Sequence, residues 1–255
     1  MRSWGTLVKP GELIDVVEMT PLTLNDRRIY NCLLANAWDS IGEDVEHVIV
    51  KSDLHFNHES TDRLSSSIER LMAAIVKVRL PAKRGTTRVQ LLGANTEYDS
   101  EDGLFRYRFD KDLRKIILDS SIFARIRAEV TFALSSKYAL TLYEMIQKRG
   151  NLKHVWAETF PLDELRELLG VPKGKLPAFA DFNRRALKPA LQEVNALGDF
   201  GVKVMPVKKG RAVTAVQLAW WCKSEQELKD AFSELQRHRN GRKARITGNV
   251  ETISL

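Results

Sequence analysis

A chain of 255 residues is long for one typical domain and comfortable for two, and its apolar content of 44% lets each half bury a core. Two distant cysteines exclude a disulfide framework and a zinc site, and without a secretion signal or a bilayer-length apolar stretch we expect a cytosolic protein with no membrane partner. The formal net charge of +7, from 40 basic and 33 acidic residues, is informative only where the basic residues cluster.

In the first half of the chain the spacing of apolar residues changes from the period of a helix to the period of a strand. Apolar residues at three- to four-residue spacing predict a helix over residues 22–37 and another over residues 60–75, which Ser60 or Thr61 can cap. Period-two alternation then predicts a hairpin around the Gly-containing turn at residues 81–87. Short strands are expected over residues 45–50, 76–80, 88–91 and 103–109. Helix, helix and hairpin is the order of a winged helix-turn-helix.

The same order appears again in the second half of the chain. Helices are predicted over residues 130–147, 161–169 and 180–197, and a hairpin over residues 202–220. The recurrence favours a distant internal duplication, although the two halves hardly align. The predicted fold class is therefore α+β, with two tandem winged-helix domains.

Three parts of the chain follow from this pattern. The first winged-helix domain is expected at residues 1–120, the second at residues 121–222, and a charged C-terminal helix and tail at residues 223–255. Residues 110–126 are expected to form one or two short helices between the domains. The C-terminal part is predicted to hold a surface helix over residues 225–237 and then a disordered tail.

The basic residues concentrate on the third helix and the hairpin of these repeating units. Between Leu71 and Thr96 there are five basic residues and no acidic one. Between Lys173 and Arg211 there are nine basic residues and three acidic ones. Helices and hairpins at these places contact DNA in helix-turn-helix proteins, so the clustering favours binding to double-stranded DNA.

In the second domain the helix at residues 180–197 carries the sharpest candidate site. An apolar stripe faces the core, and the opposite basic row suits a major groove, where Arg pairs with guanine, Gln pairs with adenine and Lys neutralises phosphate. A merely solvated basic face is the alternative. The candidate DNA-binding residues are Arg184, Arg185, Lys188 and Gln192 on this helix, Lys173 and Lys175 before it, and Lys208, Lys209 and Arg211 at the hairpin tip.

In the first domain the candidates lie on the second helix and in the hairpin. Small hydroxyl side chains let a backbone approach DNA closely, although a Ser-rich solvent face explains the serines nearly as well. An acid-free basic hairpin has few structural uses, so its cations are expected to contact phosphates or the minor groove. The candidates are Arg63, Ser66, Ser67 and Arg70 on the exposed helix face and Lys83, Arg84 and Arg88 in the hairpin.

Pro189 lies inside the helix at residues 180–197. A proline there removes a backbone hydrogen bond and crowds the preceding turn, at a cost of about 3 kcal/mol. We therefore expect either a kink or the meeting of two shorter helices. A kink would direct Arg184 and Arg185 independently of the packed C-terminal half.

No residue pattern supports catalysis. The chain has no Gly-rich phosphate loop followed by Lys and Ser or Thr. The nearest approach to a metal site is His55 and His58, but two residues separate them and they precede a helix, whereas origin-nicking enzymes place two histidines around one bulky residue on a strand. A helix-entry turn with solvated histidines is favoured. We therefore expect no enzyme, no cofactor and no metal.

Five runs of sequence resemble theta-type plasmid replication initiator (Rep) proteins. The sharpest has the Leu-Lys-Pro-Ala step that is characteristic of the recognition helix in that family. The runs are residues 24–31 (LNDRRIYN), 105–110 (FRYRFD), 134–146 (LSSKYALTLYEMI), 160–171 (FPLDELRELLGV) and 181–195 (DFNRRALKPALQEVN). They occur in the right order, so the resemblance covers about residues 7–221.

The resemblance implies an initiator whose two winged-helix domains bind direct repeats (iterons) at a plasmid origin. It gives Arg184, Arg185 and Lys188 the major-groove role and the first domain mainly backbone contacts. Monomers of such proteins help melt a neighbouring AT-rich segment and recruit the host initiator and the replicative helicase. Dimers, assembled through the first domain, repress the initiator's own promoter. The alternative is a winged-helix transcriptional repressor without a role in initiation.

Overall fold

A computed structural model describes residues 4–55, 61–80, 85–98, 100, 103–152 and 154–248. The chain divides into two units, each of which combines helices with small antiparallel sheets. The first unit comprises Met1–Ala128 and Gly170–Lys173, and the second comprises Glu129–Leu169 and Gly174–Leu255. The α+β class and the two winged-helix domains are confirmed.

The first unit is built around one central helix. In chain order its elements are β1 (Thr6–Pro10), β2 (Val17–Glu18), α1 (Leu24–Ala37), β3 (His47–Val50), α2 (Thr61–Ala73), β4 (Ile75–Leu80), β5 (Gly85–Gln90), β6 (Asn95–Thr96), β7 (Leu104–Tyr107), α3 (Lys111–Leu118) and β8 (Phe123–Arg127). Helix α1 begins in a capping box, in which the Thr23 hydroxyl accepts from the Asp26 amide and the Asp26 carboxylate accepts from the Thr23 amide. Ten of its 14 residues are buried, so α1 is a core helix and its burial extends well beyond the predicted apolar face.

The described strands of the first unit pair into three antiparallel sheets, in the orders β1-β8, β2-β4-β5 and β3-β7-β6. Helix α2 packs on α1 and leads directly into the β4–β5 hairpin, as the sequence predicts. The end of α2 differs from the prediction, because Ile75 opens β4, where the residue is 44% exposed, and does not end the helix. The segment predicted to hold one or two short helices holds one, α3, and residues 123–127 at its end form a strand that pairs with β1.

The second unit has the full order of a winged helix. In chain order its elements are α4 (Ala128–Ala133), which starts on the last residue of the first unit, α5 (Lys137–Gly150), β9 (Ala157–Pro161), α6 (Leu162–Leu168), α7 (Phe179–Phe182), α8 (Lys188–Leu197), β10 (Phe200–Lys209), β11 (Ala212–Cys222), α9 (Glu225–Gln236) and α10 (Arg242–Thr247). The sheet order is β10-β11-β9, with all neighbours antiparallel. The core is formed by α5, buried over most of its length, and by the apolar sides of α6 and α8.

Three boundaries in the second unit have identifiable causes. The single helix predicted over residues 130–147 is two helices, because Ser136 adopts an extended backbone and its hydroxyl caps α5 by accepting from the Ala139 amide. Gly170 follows the end of α6 with a φ of +70°, the left-handed conformation that favours glycine. Residues 242–247, expected to be disordered, form helix α10.

A bidentate ion pair joins α1 to α2. The Nε and Nη2 atoms of Arg70 donate to the two carboxylate oxygens of Asp26 at 2.9 and 2.8 Å, and Nη2 also donates to the Ser67 hydroxyl at 3.0 Å. The Asp26 side chain is fully buried. Burial raises the pKa of this carboxyl, but hydrogen bonds from Arg70, Thr23 and Ser67 outweigh burial and hold the pKa below its ordinary value.

We expect Arg70→Ala to destabilise the first unit by about 2 kcal/mol, because the substitution leaves the buried Asp26 carboxylate without its cation. The value lies below the range for fully buried pairs because the Arg70 side chain is 40% exposed. A carboxyl with a lowered pKa stabilises the fold above its unfolded pKa, and this stabilisation is lost as the pH falls through the folded value. The difference between variant and wild type should therefore narrow below about pH 4. Urea unfolding followed by circular dichroism at several pH values measures it.

Arg63→Ala is the matched control, since Arg63 lies on the same helix with an exposed side chain. It should change the free energy of unfolding by less than about 0.5 kcal/mol. Equal effects of the two substitutions would contradict the assigned role of Arg70.

Candidate nucleic-acid interface

The helical backbone from Phe179 to Leu197 is continuous, but its hydrogen bonding changes in the middle. Between α7 and α8, residues Asn183–Leu187 form a π-helical segment in which the Lys188 amide donates to the Asn183 carbonyl five residues back. This wider turn lies directly before Pro189, whose ring would crowd the preceding turn of a regular α-helix. Of the two alternatives expected at Pro189, a kink or the meeting of two shorter helices, the structure has two α-helical stretches that meet through a π turn in one continuous run. We call residues 179–197 the recognition helix.

The recognition helix separates apolar and basic side chains as predicted. Buried residues on its core side are Phe182, Ala186, Leu187, Ala190, Val194 and Leu197, while Leu191 is half-buried. On the opposite side Arg184, Arg185 and Lys188 are exposed and Gln192 is half-buried. The three cations therefore face solvent on one side of a helix whose other side is fixed in the core.

Asp181 lies at the start of the basic row. Arg184 Nη2 donates to Asp181 Oδ1 at 2.8 Å, and Arg185 Nε lies 3.7 Å from the same oxygen. The hydrogen bond from Arg184 lowers the pKa of this exposed carboxyl. Because both guanidinium side chains are at least 63% exposed, this pairing orients them without removing them from solvent.

The wing of the second unit is the β10–β11 hairpin. Its register shifts between Val207 and Lys208, a bulge that increases local twist, and Gly210 makes the turn with a φ of +63°. Lys208, Lys209 and Arg211 are exposed at the tip. Lys173 and Lys175, in the loop before the recognition helix, are exposed as well, and Lys173 groups with the first unit.

Two residues that sequence reasoning missed join the recognition helix to the wing. The Asn195 side chain donates to the Val202 carbonyl at 2.9 Å and accepts from the Val202 amide at 2.7 Å. Lys223 Nζ donates to the carbonyls of Asn195 and Gly198 at 2.5 and 2.6 Å, at the C-terminal end of α8. Burial lowers the pKa of Lys223. No spacing pattern marks these contacts, which depend on how the hairpin folds back.

In the first unit the structure divides the candidate residues. Arg63 and Ser66 are exposed on α2, and Arg88 is exposed on β5. The expected exposure of Ser67 is wrong: the residue is fully buried, because it lies against Asp26 and Arg70. Arg70 is half-buried and is held by the Asp26 pair, which removes it from the free basic face. Lys83 and Arg84, in the hairpin turn, lie outside the described residues.

The structure also shows the surroundings of the described histidines and of the two cysteines. Within the described ranges no three His, Cys, Asp or Glu side chains come close enough to hold a metal ion, and His58 falls outside those ranges. Cys32 is buried, and Cys222 is exposed at the end of β11. None of the described helices has the length and apolar content needed to cross a membrane.

Fold and site define a tandem winged-helix protein with a basic recognition helix and wing. Two family models match it: "Initiator Replication protein, WH1" over residues 6–147 and "Initiator Rep protein, WH2" over residues 161–220. The first model alone matches more than half of the 255 residues, so the chain belongs to the initiator replication protein family.

Comparison with solved structures agrees with this fold. The Pi initiator protein, in a crystal structure with iteron DNA, matches with a TM-score of 0.62 and 19% sequence identity, over 88% of this chain and 100% of that one. Domains 2 and 3 of RctB match with a TM-score of 0.49 and 13% identity, over 79% of this chain and 83% of that one, a score too low to establish a shared fold. No curated protein sequence matches the chain.

The contact at Asp181 leads to a prediction about pKa. Arg184→Ala should raise the pKa of the Asp181 carboxyl towards its ordinary value, because the hydrogen bond from Arg184 is the main cause of its lowering. Carbon-detected NMR of the carboxyl across an acid titration measures this. Lys188→Ala, which removes a cation outside that set of interactions, should leave the pKa in place. An unchanged pKa in Arg184→Ala would show that the pair does not form in solution.

Proposed function

We propose that this chain initiates replication of a plasmid by binding iteron repeats at the origin as sequence-specific sites in double-stranded DNA. Further parts of the proposal are that it promotes origin opening, recruits the host initiator and replicative helicase, and represses its own promoter as a dimer. It acts in the bacterial cytosol, on plasmid DNA. The observation that carries the proposal is the exposed row of Arg184, Arg185 and Lys188 on a recognition helix in a member of the initiator family.

The chemistry of this row suits a major groove. A guanidinium donates two parallel hydrogen bonds to the O6 and N7 atoms of guanine, and Arg184 and Arg185 are the two exposed guanidinium groups of the recognition helix. Lys188 presents a point charge suited to phosphate. Gln192, half-buried one turn later, has the amide that pairs with adenine. Arg184, Arg185 and Gln192 are assigned the reading of bases, and Lys188 is assigned a neighbouring phosphate.

The residues of the wing and of the preceding loop are assigned contacts with the sugar-phosphate backbone of DNA. Lys208, Lys209 and Arg211 extend from the hairpin tip, where flexible cations can follow phosphates on either side of the groove. Lys173 and Lys175 have the same assignment. Such contacts carry no sequence information, but they fix the register of the protein and make affinity depend on salt.

The first domain is assigned mainly a positioning role. Arg63 and Ser66 on α2 and Arg88 on β5 are its exposed candidates, together with Lys83 and Arg84 in the turn. Ser67 and Arg70 are withdrawn from the candidate set because they belong to the buried contact with Asp26. Dimer formation is assigned to this domain as well, so self-association competes with its use on iterons.

The central prediction concerns the two arginines. Arg184→Ala with Arg185→Ala should weaken binding to the cognate repeat by roughly a hundredfold or more, since each bidentate base contact contributes about 1–3 kcal/mol. Binding to scrambled DNA should change much less. The fold should persist, because both side chains are exposed. Fluorescence anisotropy on the repeat found by footprinting the DNA that flanks the gene, and on a scrambled duplex, measures the ratio.

Lys115→Ala with Lys229→Ala is a matched control. These lysines are 70% and 65% exposed and form ion pairs at i,i+3 and i,i+4 spacing, as Arg184 and Arg185 do with Asp181. The control should retain the ratio of cognate to scrambled affinity. A retained ratio in the arginine variant would place base recognition elsewhere.

A second prediction separates initiation from repression alone. A plasmid that carries only the origin region should replicate in a host that supplies this protein in trans, and should be lost when the supplied protein carries both arginine substitutions. Colony counts under selection and plasmid copy number measure the outcome. Repression of the promoter without maintenance of the origin plasmid would favour a transcriptional repressor.

A further inference from the structure

The C-terminal part of the chain lies beyond the segments that the two family models match. The second model ends at residue 220, and α9 and α10 follow it. Both helices group with the second unit. Helices α9 and α10 are therefore an addition to the winged helix of the second unit.

Arg242 anchors α10 to the body of the unit. This side chain is buried, and its guanidinium donates to the Ala133 carbonyl at the end of α4 and to the carbonyls of Glu234, Leu235 and Arg237 at the end of α9, at 3.2–3.3 Å. Such contacts satisfy carbonyls that a helix end leaves unpaired. They hold α10 against the start of the winged helix.

Arg245 supplies a second anchor. Its Nε and Nη2 atoms donate to both carboxylate oxygens of Glu234 at 3.0 and 2.7 Å. The pKa of Glu234 is lowered by this hydrogen bond, and Arg242 contributes to the same shift. Arg242 and Arg237 also lie 3.4 and 3.6 Å from this carboxylate, so three arginines hold Glu234 at the turn between α9 and α10.

Charge is unevenly distributed along this addition. Helix α9 has four acidic residues and one basic residue, whereas residues 235–248 have five basic residues and no acidic one. Two of the five, Arg242 and Arg245, are the anchors. Arg239 and Lys243 are exposed, so their charges are directed to solvent.

Arg239 and Lys243 line the same cavity as the basic face of the recognition helix. The cavity has a volume of about 330 Å³, and its wall includes Arg185 and Gln192. Its other side chains come from the same helix, from the junction of α4 and α5 and from the rest of α10.

The carboxylate of Glu193 also lines this cavity, and Ser135 donates two hydrogen bonds to it. The Glu193 carboxylate accepts from the Ser135 amide at 2.5 Å and from the Ser135 hydroxyl at 2.6 Å. Four cations line the cavity. Arg242 is bonded to backbone carbonyls, which leaves Arg185, Arg239 and Lys243 beside one carboxylate that is engaged by Ser135.

We propose that Arg239 and Lys243 form a second DNA-contacting edge, which binds phosphates of the backbone that borders the groove entered by the recognition helix. The inference rests on the proposed DNA binding and extends it to a surface outside the winged helix. Long cations beside a groove-reading helix suit phosphates, because the backbone runs along the groove edge and requires charge more than exact geometry.

The test compares two variants of the full chain that carry the same net charge. Arg239→Ala with Lys243→Ala lowers the charge by two, and so does Lys229→Glu, placed on the acidic helix α9. Kd for the cognate repeat and for a scrambled duplex of the same length is measured at several salt concentrations, together with hydroxyl-radical footprints. Circular dichroism checks the fold, which should survive because all three side chains are exposed.

We expect Arg239→Ala with Lys243→Ala to weaken binding to both duplexes by roughly tenfold and to reduce the slope of log Kd against log salt by about two units, one for each lost phosphate contact. Protection of the sugars that border the repeat should be lost, and base selectivity should remain. Lys229→Glu should reproduce none of this. Unchanged slope and footprint, or equal effects of the two variants, would overturn the proposal; such a result would favour an acidic protein segment as the occupant.

Failure of the proposed contact by Arg239 and Lys243 can be told apart from failure of the proposed function. If the wild-type chain does not prefer the repeat to the scrambled duplex, sequence-specific initiation is refuted. The slope on the scrambled duplex still decides whether Arg239 and Lys243 contact DNA.

Discussion

The second unit depends on the joint between α8 and the wing. Asn195 exchanges two hydrogen bonds with the backbone of Val202, and Lys223 satisfies two carbonyls at the C-terminal end of α8. A helix end exposes carbonyls with partial negative charge, so a cation there stabilises the helix and closes the loop to the hairpin at once. Helix and wing therefore form one rigid element. A rigid element holds its basic face and its basic tip in fixed positions. The conformational entropy of ordering them is therefore lost when the protein folds and not when it binds a partner.

The π turn shows how a locally unfavourable residue is accommodated. Pro189 cannot donate to the helix ladder, and its ring conflicts with the regular turn before it. The wider segment at Asn183–Leu187 relieves this conflict and still keeps Ala186 and Leu187 in the core. Arg184 and Arg185 lie within that segment, where one more residue is fitted into a turn. The irregular backbone therefore carries two of the candidate residues, Arg184 and Arg185, and ends directly before a third, Lys188.

Sequence predicted the elements whose signal is local and missed those that depend on distant partners. The helices and both hairpins follow from apolar period and turn residues, and the exposed row around Lys188 follows from the same stripe. Strands β1 and β8 pair across more than 100 residues, so no window of sequence contains their reason to form. Helix α10 is short and polar, and its stability comes from Arg242 bonding to carbonyls of two other helices. Burial of Ser67 depends on Asp26, 41 positions earlier in the chain.

Two arginine–aspartate pairs explain why residue type alone does not identify a DNA contact. Arg70 and Arg184 both donate to a carboxylate at 2.8 Å. The carboxylate of Asp26 is fully buried, so releasing its arginine would leave a charge in the core, at a cost of about 2 kcal/mol. The carboxylate of Asp181 is exposed and three positions away, so water replaces the arginine at little cost and the guanidinium can exchange the carboxylate for a base or a phosphate. Burial of the acid, which sequence spacing does not encode, decides which arginine can exchange its carboxylate for another partner.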